Sequence, residues 1–274
     1  MKLYRVLDED SRPTYAAGEA GALRRIEGDI FGDWGLTDRP VEPTRTLAPV
    51  APPAIFAVGL NYRSHAAETD KPLPDYPVLF AKSAMSVIGP DDPILLPAAG
   101  PACVDYEVEL AVVIGCDCRN VPADQAGEVI LGCTVGNDVT ARDWQKRLGQ
   151  WVRGKSFDTF CPLGPCIDTE ADPGGLDLQA VLNGHLVQQA STSDLIFSVP
   201  QLVEFISADL TLPAGTVIMT GTPAGVGVAR RPQVFLRDGD RVTCRIEGIG
   251  ELSNPVALAD GADPDAQPVA TWDD

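Results

Sequence analysis

The run from Val104 to Gly115 constrains the fold of this chain more than any other stretch. It is apolar but contains three acids, Asp105, Glu107 and Glu109, at alternating positions. Because side chains alternate between the two faces of a β-strand, these carboxylates are predicted to share one face. The second half of the run, Ala-Val-Val-Ile, has no polar position, which is typical of a strand covered on both sides. The sequence therefore predicts an interior strand that carries acids.

Carboxylates side by side in such a strand repel one another and lose hydration, at roughly several kcal/mol per buried ion. A divalent cation between them would offset that cost, whereas acids at a strand end that leans into solvent would need none. Asp138 favours the cation, because it follows the apolar run 129–135 and so lies at another strand end, although it could also cap the helix predicted after it. Glu107, Glu109 and Asp138 form an all-oxygen set, which suits Mg2+, Mn2+ or Ca2+ and is a poor zinc site.

Charge and composition exclude several classes of function. The chain has 39 aspartates and glutamates against 21 lysines and arginines, a formal net charge of -18, which argues against binding to nucleic acid or to an anionic membrane. The acidic start lacks the apolar stretch of a signal peptide and no run approaches a membrane helix in length, so we expect a cytoplasmic protein. The seven cysteines form no Cys-x-x-Cys pair and are expected to be free thiols. With only two histidines, a histidine-rich metal site is nearly excluded.

Short apolar segments between glycine, proline and aspartate turns predict a mostly β (α+β) fold. Asn183-Gly184 and Asp238-Gly239 are strong hairpin signals, the second between strands at 234–236 and 241–246. Helices are predicted in only three places: 123–126, 141–148 and 199–207.

The chain is predicted to have three parts. Residues 1–52 form a small, separate N-terminal subdomain that ends in a proline-rich linker. Residues 53–258 form the main domain. Residues 259–274 are acidic, carry alanine, glycine and proline without periodicity, and are predicted to be a disordered tail.

His65 and Glu68 are three residues apart, so one helical turn would bring their side chains together. A carboxylate bonded to one ring nitrogen fixes the tautomer and makes the other nitrogen a better base. The alternative for His65 is an exposed polar residue on a loop. The polar, proline-rich tract 63–77 around it is typical of a mobile lid. The second histidine, His185, is interpreted as a surface residue because it follows a hairpin turn.

Four cations lie near these elements: Lys82, Arg142, Arg153 and Lys155. These cations could neutralise buried acids or bind a substrate carboxylate, and spacing alone does not separate the two roles. The glycine-rich segment 219–227 is not a phosphate loop, because it has neither Gly-Lys-Ser/Thr nor a G-x-G-x-x-G register. It is either a simple turn or a tight loop in which backbone N–H groups and Thr222 approach a ligand oxygen.

Several blocks in one order resemble the fumarylacetoacetate hydrolase family from about residue 54 to residue 256. They are Gly59-Leu60-Asn61-Tyr62 with His65 and Glu68, Asp105 to Leu110, Asn137 to Gln145, Gly154 to Asp158, Leu163-Gly164-Pro165, Val181 to Gly184, and Gly221 to Gly227. The resemblance implies a mixed β-sandwich roll that forms a homodimer, and it makes the main domain the catalytic one. A small anionic keto acid is the implied substrate.

The resemblance also implies roles for individual positions. Glu107, Glu109 and Asp138 match residues that hold Mg2+ or Mn2+. His65 and Glu68 match a catalytic dyad on a lid that orders over bound ligand. Substrate oxygens are bound by positions that match Lys82, Arg142, Gln145, Lys155 and Thr222, of which we place Lys155 with the catalytic residues.

The leading hypothesis from the sequence is metal-dependent hydrolysis of a C–C bond in a 1,3-diketo acid of the acylpyruvate or fumarylpyruvate type. The metal would stabilise the enolate that leaves, and His65, held by Glu68, would activate the attacking water. Decarboxylation of oxaloacetate or a related β-keto acid needs the same enolate without that water, and an isomerase of aromatic-acid breakdown needs only proton shuttling. A catalytically silent metabolite binder is the alternative of another class, and the presence of the dyad argues against it.

Overall fold

Strands dominate the fold, and the computed structural model describes them within residues 1–269. The strands are β1 (Lys2–Leu7), β2 (Pro13–Glu19), β3 (Ala22–Gly28), β4 (Trp34–Val41), β5 (Arg45–Thr46), β6 (Ile55–Gly59), β7 (Val78–Lys82), β8 (Val87–Ile88), β9 (Ile94–Leu96), β10 (Val104–Asp105), β11 (Val108–Ile114), β12 (Ile130–Asn137), β13 (Thr140–Ala141), β14 (Cys161–Asp168), β15 (Asp177–Leu182), β16 (His185–Ser191), β17 (Val217–Met219), β18 (Arg241–Ile246) and β19 (Gly250–Leu258). The α-helices are α1 (Arg63–Glu68), α2 (Ala126–Val129), α3 (Arg142–Arg147), α4 (Val152–Lys155) and α5 (Val199–Ser207). No helix in this part of the chain is long and apolar enough to cross a membrane.

Two mixed sheets and a two-stranded ribbon make up the fold. Ten strands of the large sheet follow the order β4-β3-β2-β1-β14-β12-β11-β17-β6-β7, with β5 beside β1 and β8 beside β14. The small sheet has the order β16-β15-β18-β19-β9, and β10 pairs with β13. Leu178 and Val242 of the small sheet share one buried cluster with Val108 and Leu110 of the large sheet, so the two sheets form a sandwich. The predicted mostly β fold class is confirmed.

The predicted interior strand is confirmed as β11, which lies between β12 and β17 and has every residue buried. Its side chains alternate as expected. Val108 and Leu110 belong to the cluster between the sheets, whereas Ala111 and Val113 belong to a second cluster on the opposite face. Glu109 lies on the same face as Ala111, so its carboxylate is buried with this second face.

Residues 1–52 extend the large sheet, whereas the sequence predicted a separate piece. β1 pairs with β14 in the register Lys2 to Asp168 and Leu3 to Ile167. Leu3 is also part of the buried cluster that contains Ile55 and Leu163. The proline-rich linker interrupts the periodicity of the sequence, but it does not show which sheet edge the preceding strands pair with.

The helices predicted at 141–148 and 199–207 are found as α3 and α5. The segment 123–126 forms a 3-10 helix at Ala123–Gln125 that leads into α2, and α1 and α4 are additional helices. The first predicted hairpin is also found, since Asn183 and Gly184 both have positive φ angles and join β15 to β16. The second is wrong because residues 234–236 form no strand. Their backbone N–H groups bond instead to the carbonyls of Gly227 and Val104, and β18 forms its hairpin with β19.

The described part of the predicted tail contains local turns, and its disorder stays a prediction. Ala262 N–H bonds to the Ala259 carbonyl at 3.0 Å, and Ala266 N–H bonds to the Asp263 carbonyl at 3.1 Å. Residues 259–269 are therefore organised by local turns. The remainder of the predicted tail, residues 270–274, lies outside the described residues.

Candidate functional site

A cavity of about 550 Å3 brings together most of the site residues predicted from the sequence. Eight of the ten line it: His65, Glu107, Glu109, Asp138, Arg142, Gln145, Lys155 and Thr222. The other two, Glu68 and Lys82, each contact a residue that lines it. The cavity therefore contains the candidate metal ligands and the candidate base in one space.

Strand pairing brings the three predicted metal ligands together. β11 and β12 are antiparallel with Val108 opposite Asn137, so Glu107 and Asp138 emerge beside each other at the ends of the two strands. Asp138 N–H bonds to the Glu107 carbonyl at 2.9 Å, which fixes this junction. One oxygen from each of Glu107, Glu109 and Asp138 lies within 4.8 Å of the others, and all three residues are buried.

Asp105 is separated from this set, although the alternation of the sequence placed it on the same face. The strand is interrupted at residues 106–107, so Asp105 belongs to β10 and not to β11. Its carboxylate accepts bonds from Arg142 Nε at 2.9 Å and from the backbone N–H groups of Gly227 and Val228. Asp105 therefore holds Arg142 and the loop before residue 228.

Two cations neutralise Glu107. Lys155 Nζ lies 2.7 Å from its Oε2 and 2.5 Å from Asp138 Oδ2, and Arg142 Nη2 lies 2.7 Å from its Oε1. Burial opposes the ionisation of Glu107, but Lys155 and Arg142 outweigh burial and lower its pKa to about 2. Burial likewise opposes the charge of Lys155, yet Asp138 and Glu107 outweigh it and raise the lysine pKa.

Glu109 is in the opposite electrostatic situation. Its Oε2 accepts a hydrogen bond from Gly221 N–H at 2.8 Å. Burial, together with the nearby carboxylates of Asp138 and Glu107, raises its pKa well above the usual range for a glutamate. Among the three carboxylates, the negative charge is therefore least compensated by cations at Glu109. Buried carboxylates with this deficit fit a divalent cation that prefers oxygen, such as Mg2+ or Mn2+.

The binding of Mg2+ or Mn2+ is expected to release a proton wherever the pH lies below the raised pKa of Glu109, because a carboxylate binds a metal in its deprotonated form. A glutamate whose folded pKa is raised contributes stability below its ordinary pKa of 4.5, and this contribution is lost as the pH rises through the raised value. The increase in the free energy of unfolding that the bound metal provides should therefore grow as the pH rises. Titration calorimetry in buffers that differ in ionisation enthalpy would count the protons released.

Glu109→Gln is the matched variant for this prediction. It should weaken metal binding at least about ten-fold, as loss of a ligand or its support does. Without metal, at pH values above the raised pKa of Glu109, the variant should unfold at a higher temperature than the wild type, because the glutamine carries no charge into the interior. Metal affinity that is independent of pH in the wild-type protein would contradict the assignment.

The predicted dyad is formed on α1. His65 Nδ1 lies 3.2 Å from Glu68 Oε2, and Glu68 Oε1 accepts a hydrogen bond from Gly225 N–H at 2.8 Å. Both side chains are largely buried, at 14% and 20% exposure. With Nδ1 held by Glu68, Nε2 is the ring nitrogen left for a ligand in the cavity.

Helix α1 is bonded to other elements near both of its ends, and the mobile lid over 63–77 stays a prediction. Near its start, the Ser64 N–H donates to Asp194 Oδ2 at 3.0 Å, and at its last residue Glu68 Oε1 accepts the Gly225 N–H at 2.8 Å. The helical part of the predicted lid is therefore anchored over the cavity.

The loop 221–227 uses its backbone N–H groups on the protein itself. The sequence left open whether these groups approach a ligand or belong to a simple turn. In the structure, the N–H groups of Gly221 and Gly225 donate hydrogen bonds to the carboxylates of Glu109 and Glu68. Gly221 and Gly225 both have positive φ angles, and a Cβ on Gly225 would lie 2.2 Å from the Val187 carbonyl oxygen. Glycine is thus required where the loop holds the carboxylates of Glu109 and Glu68.

Gln188 is a supporting residue that the sequence reasoning missed. It is buried on β16, and its Nε2 donates to Thr222 Oγ1 at 2.8 Å while its Oε1 accepts the Val108 N–H at 2.9 Å. Thr222 Oγ1 in turn donates to the Val108 carbonyl at 3.0 Å. The only signal available was strand alternation, which places Gln188 on the inner face of its hairpin.

Lys82 lies behind the candidate metal ligands and is not among the residues that line the cavity. Its fully buried ammonium group is 2.5 Å from Asp138 Oδ1 and also bonds to the carbonyl of Lys155. This position favours a role in holding Asp138, and not the substrate contact that the resemblance implied. Gln145 does line the cavity, where its Oε1 accepts a hydrogen bond from Arg142 Nη1 at 3.1 Å.

Comparisons with known proteins cover this site. Residues 54–257 match the family model for the fumarylacetoacetate (FAA) hydrolase C-terminal domain, a span that contains every predicted site residue. An uncharacterized protein of Archaeoglobus fulgidus is 53% identical over 235 residues, which cover 86% of this chain and 90% of that protein. The mitochondrial oxaloacetate tautomerase FAHD2A of Homo sapiens is 46% identical over 216 residues, which cover 77% and 68%. Among solved structures, the 2-hydroxyhepta-2,4-diene-1,7-dioate isomerase from Mycobacterium marinum is similar with a TM-score of 0.84 and 43% identity, over 95% of this chain and 99% of that chain.

Proposed function

Because the chain belongs to the fumarylacetoacetate hydrolase family of enzymes, we propose that it is a metal-dependent isomerase that moves a proton between carbon and oxygen in a small 2-oxo dicarboxylic acid such as oxaloacetate. The observation that carries the proposal is the pairing of His65 with Glu68 in the same cavity as the buried carboxylates. Two relatives support it, since the human protein is named a tautomerase and the mycobacterial one an isomerase. Both names describe proton transfer without loss of carbon.

Glu107, Glu109 and Asp138 would hold Mg2+ or Mn2+, which when bound would polarise the 2-oxo group of the substrate. In the conversion of enol to keto form, one proton leaves the oxygen on C2 and one joins C3. His65 Nε2 would carry a proton between these positions, and Glu68, which contacts Nδ1, would stabilise the ring while it is charged. Arg142 and Gln145 would orient a substrate carboxylate from the same side of the cavity.

Hydrolysis of a C–C bond, the leading prediction from the sequence, is the second candidate. It uses the same residues, with His65 acting on water instead of carbon, and the matching family model carries the name of a hydrolase. The homodimer implied by the resemblance also stays a prediction. It is supported by exposed apolar residues Val78, Leu79 and Met85 on and beside β7, at the edge of the large sheet.

The proposal is tested with metal-stripped protein and oxaloacetate, with and without added Mg2+ or Mn2+. We expect the loss of enol absorbance to be at least about 100-fold faster with protein and metal than with metal alone, as general acid–base catalysis supplies. In D2O, NMR should show deuterium entering C3 while all four carbons are retained. His65→Ala is the matched control.

Other products would replace the proposal with a specific alternative. Release of pyruvate and carbon dioxide from oxaloacetate would identify a decarboxylase, and release of acetate and pyruvate from acetylpyruvate would identify a C–C hydrolase. Metal binding without acceleration of any of these reactions would leave a silent metabolite binder.

A further inference from the structure

Residues 259–269, which we name the C-terminal segment, lead from the end of β19 back to the cavity. Ala259 N–H bonds to the Leu96 carbonyl at 3.0 Å, which fixes the start of the segment beside β9. At its far end, Val269 N–H donates to Asp143 Oδ2 at 2.9 Å. Pro268 and Val269 line the same cavity as the metal ligands and the dyad. The segment is therefore one wall of the candidate active site.

The point of attachment belongs to the substrate-binding part of the cavity. Asp143 is only 6% exposed, and its Oδ1 accepts the Trp144 N–H at 2.8 Å in the first turn of α3. The same turn presents Arg142 and Gln145 to the cavity. A wall fastened to Asp143 is consequently held close to the groups that would bind a substrate carboxylate.

The chemistry of this wall disfavours a second charged group. Three residues of the segment are aspartates, yet the two that line the cavity are the apolar Pro268 and Val269. The Asp143 carboxylate, which also lines the cavity, lies directly beside them. A distal carboxylate of a long diacid that contacts Pro268 and Val269 would lose hydration against these apolar side chains. A shorter diacid would bring fewer atoms against them.

The segment lies beyond the family match, which ends at residue 257. We propose that the C-terminal segment determines the substrate length that this chain accepts, by closing the cavity against 2-oxo diacids longer than oxaloacetate. This inference rests on the proposed function for the class of substrate, but it concerns binding and not the reaction. Selectivity of this kind acts by excluding the wrong ligand more than by improving contact with the right one.

The test measures the dissociation constants of oxaloacetate, 2-oxoglutarate and 2-oxoadipate with the Mg2+-loaded protein by calorimetry. A form that ends at residue 262 lacks Pro268 and Val269, whereas a form that ends at residue 269 keeps both and is the matched control. We expect the preference for oxaloacetate over 2-oxoadipate to fall at least ten-fold in the shorter form. The form that ends at residue 269 should behave as the full chain does.

A single substitution tests whether the change in selectivity comes from the bond to Asp143 and not from truncation itself. Val269→Pro removes the N–H that bonds to Asp143, and Val269→Ala keeps it, so only the proline variant should relax the selectivity. An unchanged preference in both the shorter form and Val269→Pro would overturn the inference, with or without turnover. Selective binding of oxaloacetate that is lost in these variants, but without turnover by any form, would overturn the proposed function and support the inference.

Discussion

Replacing His65 with alanine should lower turnover by about 100- to 10,000-fold, the range expected when a general base is removed. His65 lines the cavity, and its ring is held by Glu68 through Nδ1. The buried ion pairs of the metal site are made by Lys82, Arg142 and Lys155 and do not involve His65. Affinity for Mg2+ or Mn2+ should therefore stay within about two-fold, so that the loss appears in the catalytic step.

The chain offers a natural control for this variant, because its other histidine is exposed at the start of β16. His185→Ala should leave both turnover and metal affinity unchanged. Glu68→Gln should retain the side-chain volume and the bond to Gly225 while losing the charge that stabilises the protonated ring, so its turnover should fall between those of the wild type and His65→Ala. Loss of metal binding in His65→Ala would instead make His65 a metal ligand.

Replacing Lys82 with methionine should lower the free energy of unfolding of the metal-free protein by about 3 kcal/mol, the loss typical when one partner of a buried ion pair is removed. Lys82 is fully buried and its ammonium lies 2.5 Å from Asp138 Oδ1. Without it, Asp138 keeps only Lys155 as a cation, and Lys155 is shared with Glu107. Denaturant unfolding measures the effect, and metal affinity should fall with it because Asp138 is less well placed.

Two further variants test whether the loss of stability comes from the unpaired charge of Asp138. Lys2→Met removes a lysine whose nearest carboxylate, on Glu19, is 3.9 Å away and exposed, so the free energy of unfolding should change by no more than about 0.5 kcal/mol. Asp138→Asn combined with Lys82→Met should be more stable than Lys82→Met alone, because the unpaired buried charge is gone. A Lys82→Met protein with wild-type stability but weakened substrate binding would return Lys82 to the substrate-contact role.

The grouping of the three candidate metal ligands could be predicted from the sequence because local rules place them. Strand alternation puts Glu107 and Glu109 together, and an apolar run ending at Asp138 predicts a neighbouring strand end. The same alternation failed for Asp105, since the interruption of the strand after it has no glycine or proline to announce it. The rule is reliable only while the strand continues.

Residues that act through distant partners could not be found in the same way. Lys82 and Asp138 are 56 positions apart, and Gln188 and Thr222 are 34 apart, so their contacts depend on how the strands are ordered in space. The loop at 221–227 was recognised as tight, but its carboxylate partners come from other elements. For the C-terminal segment, composition predicted disorder and gave no sign of its turn hydrogen bonds or of its bond to Asp143.

The pairing of β1 with β14 has a practical consequence for shorter forms of this protein. A fragment that began at residue 54, where the family match begins, would leave the backbone groups of Ile167 and Asp168 without their partners on β1. An unpaired strand edge is a template for intermolecular association, and the fragment would also uncover apolar side chains such as Ile55 that Leu3 helps to bury. The first fifty residues thus protect the large sheet against aggregation, although they contribute no residue to the cavity.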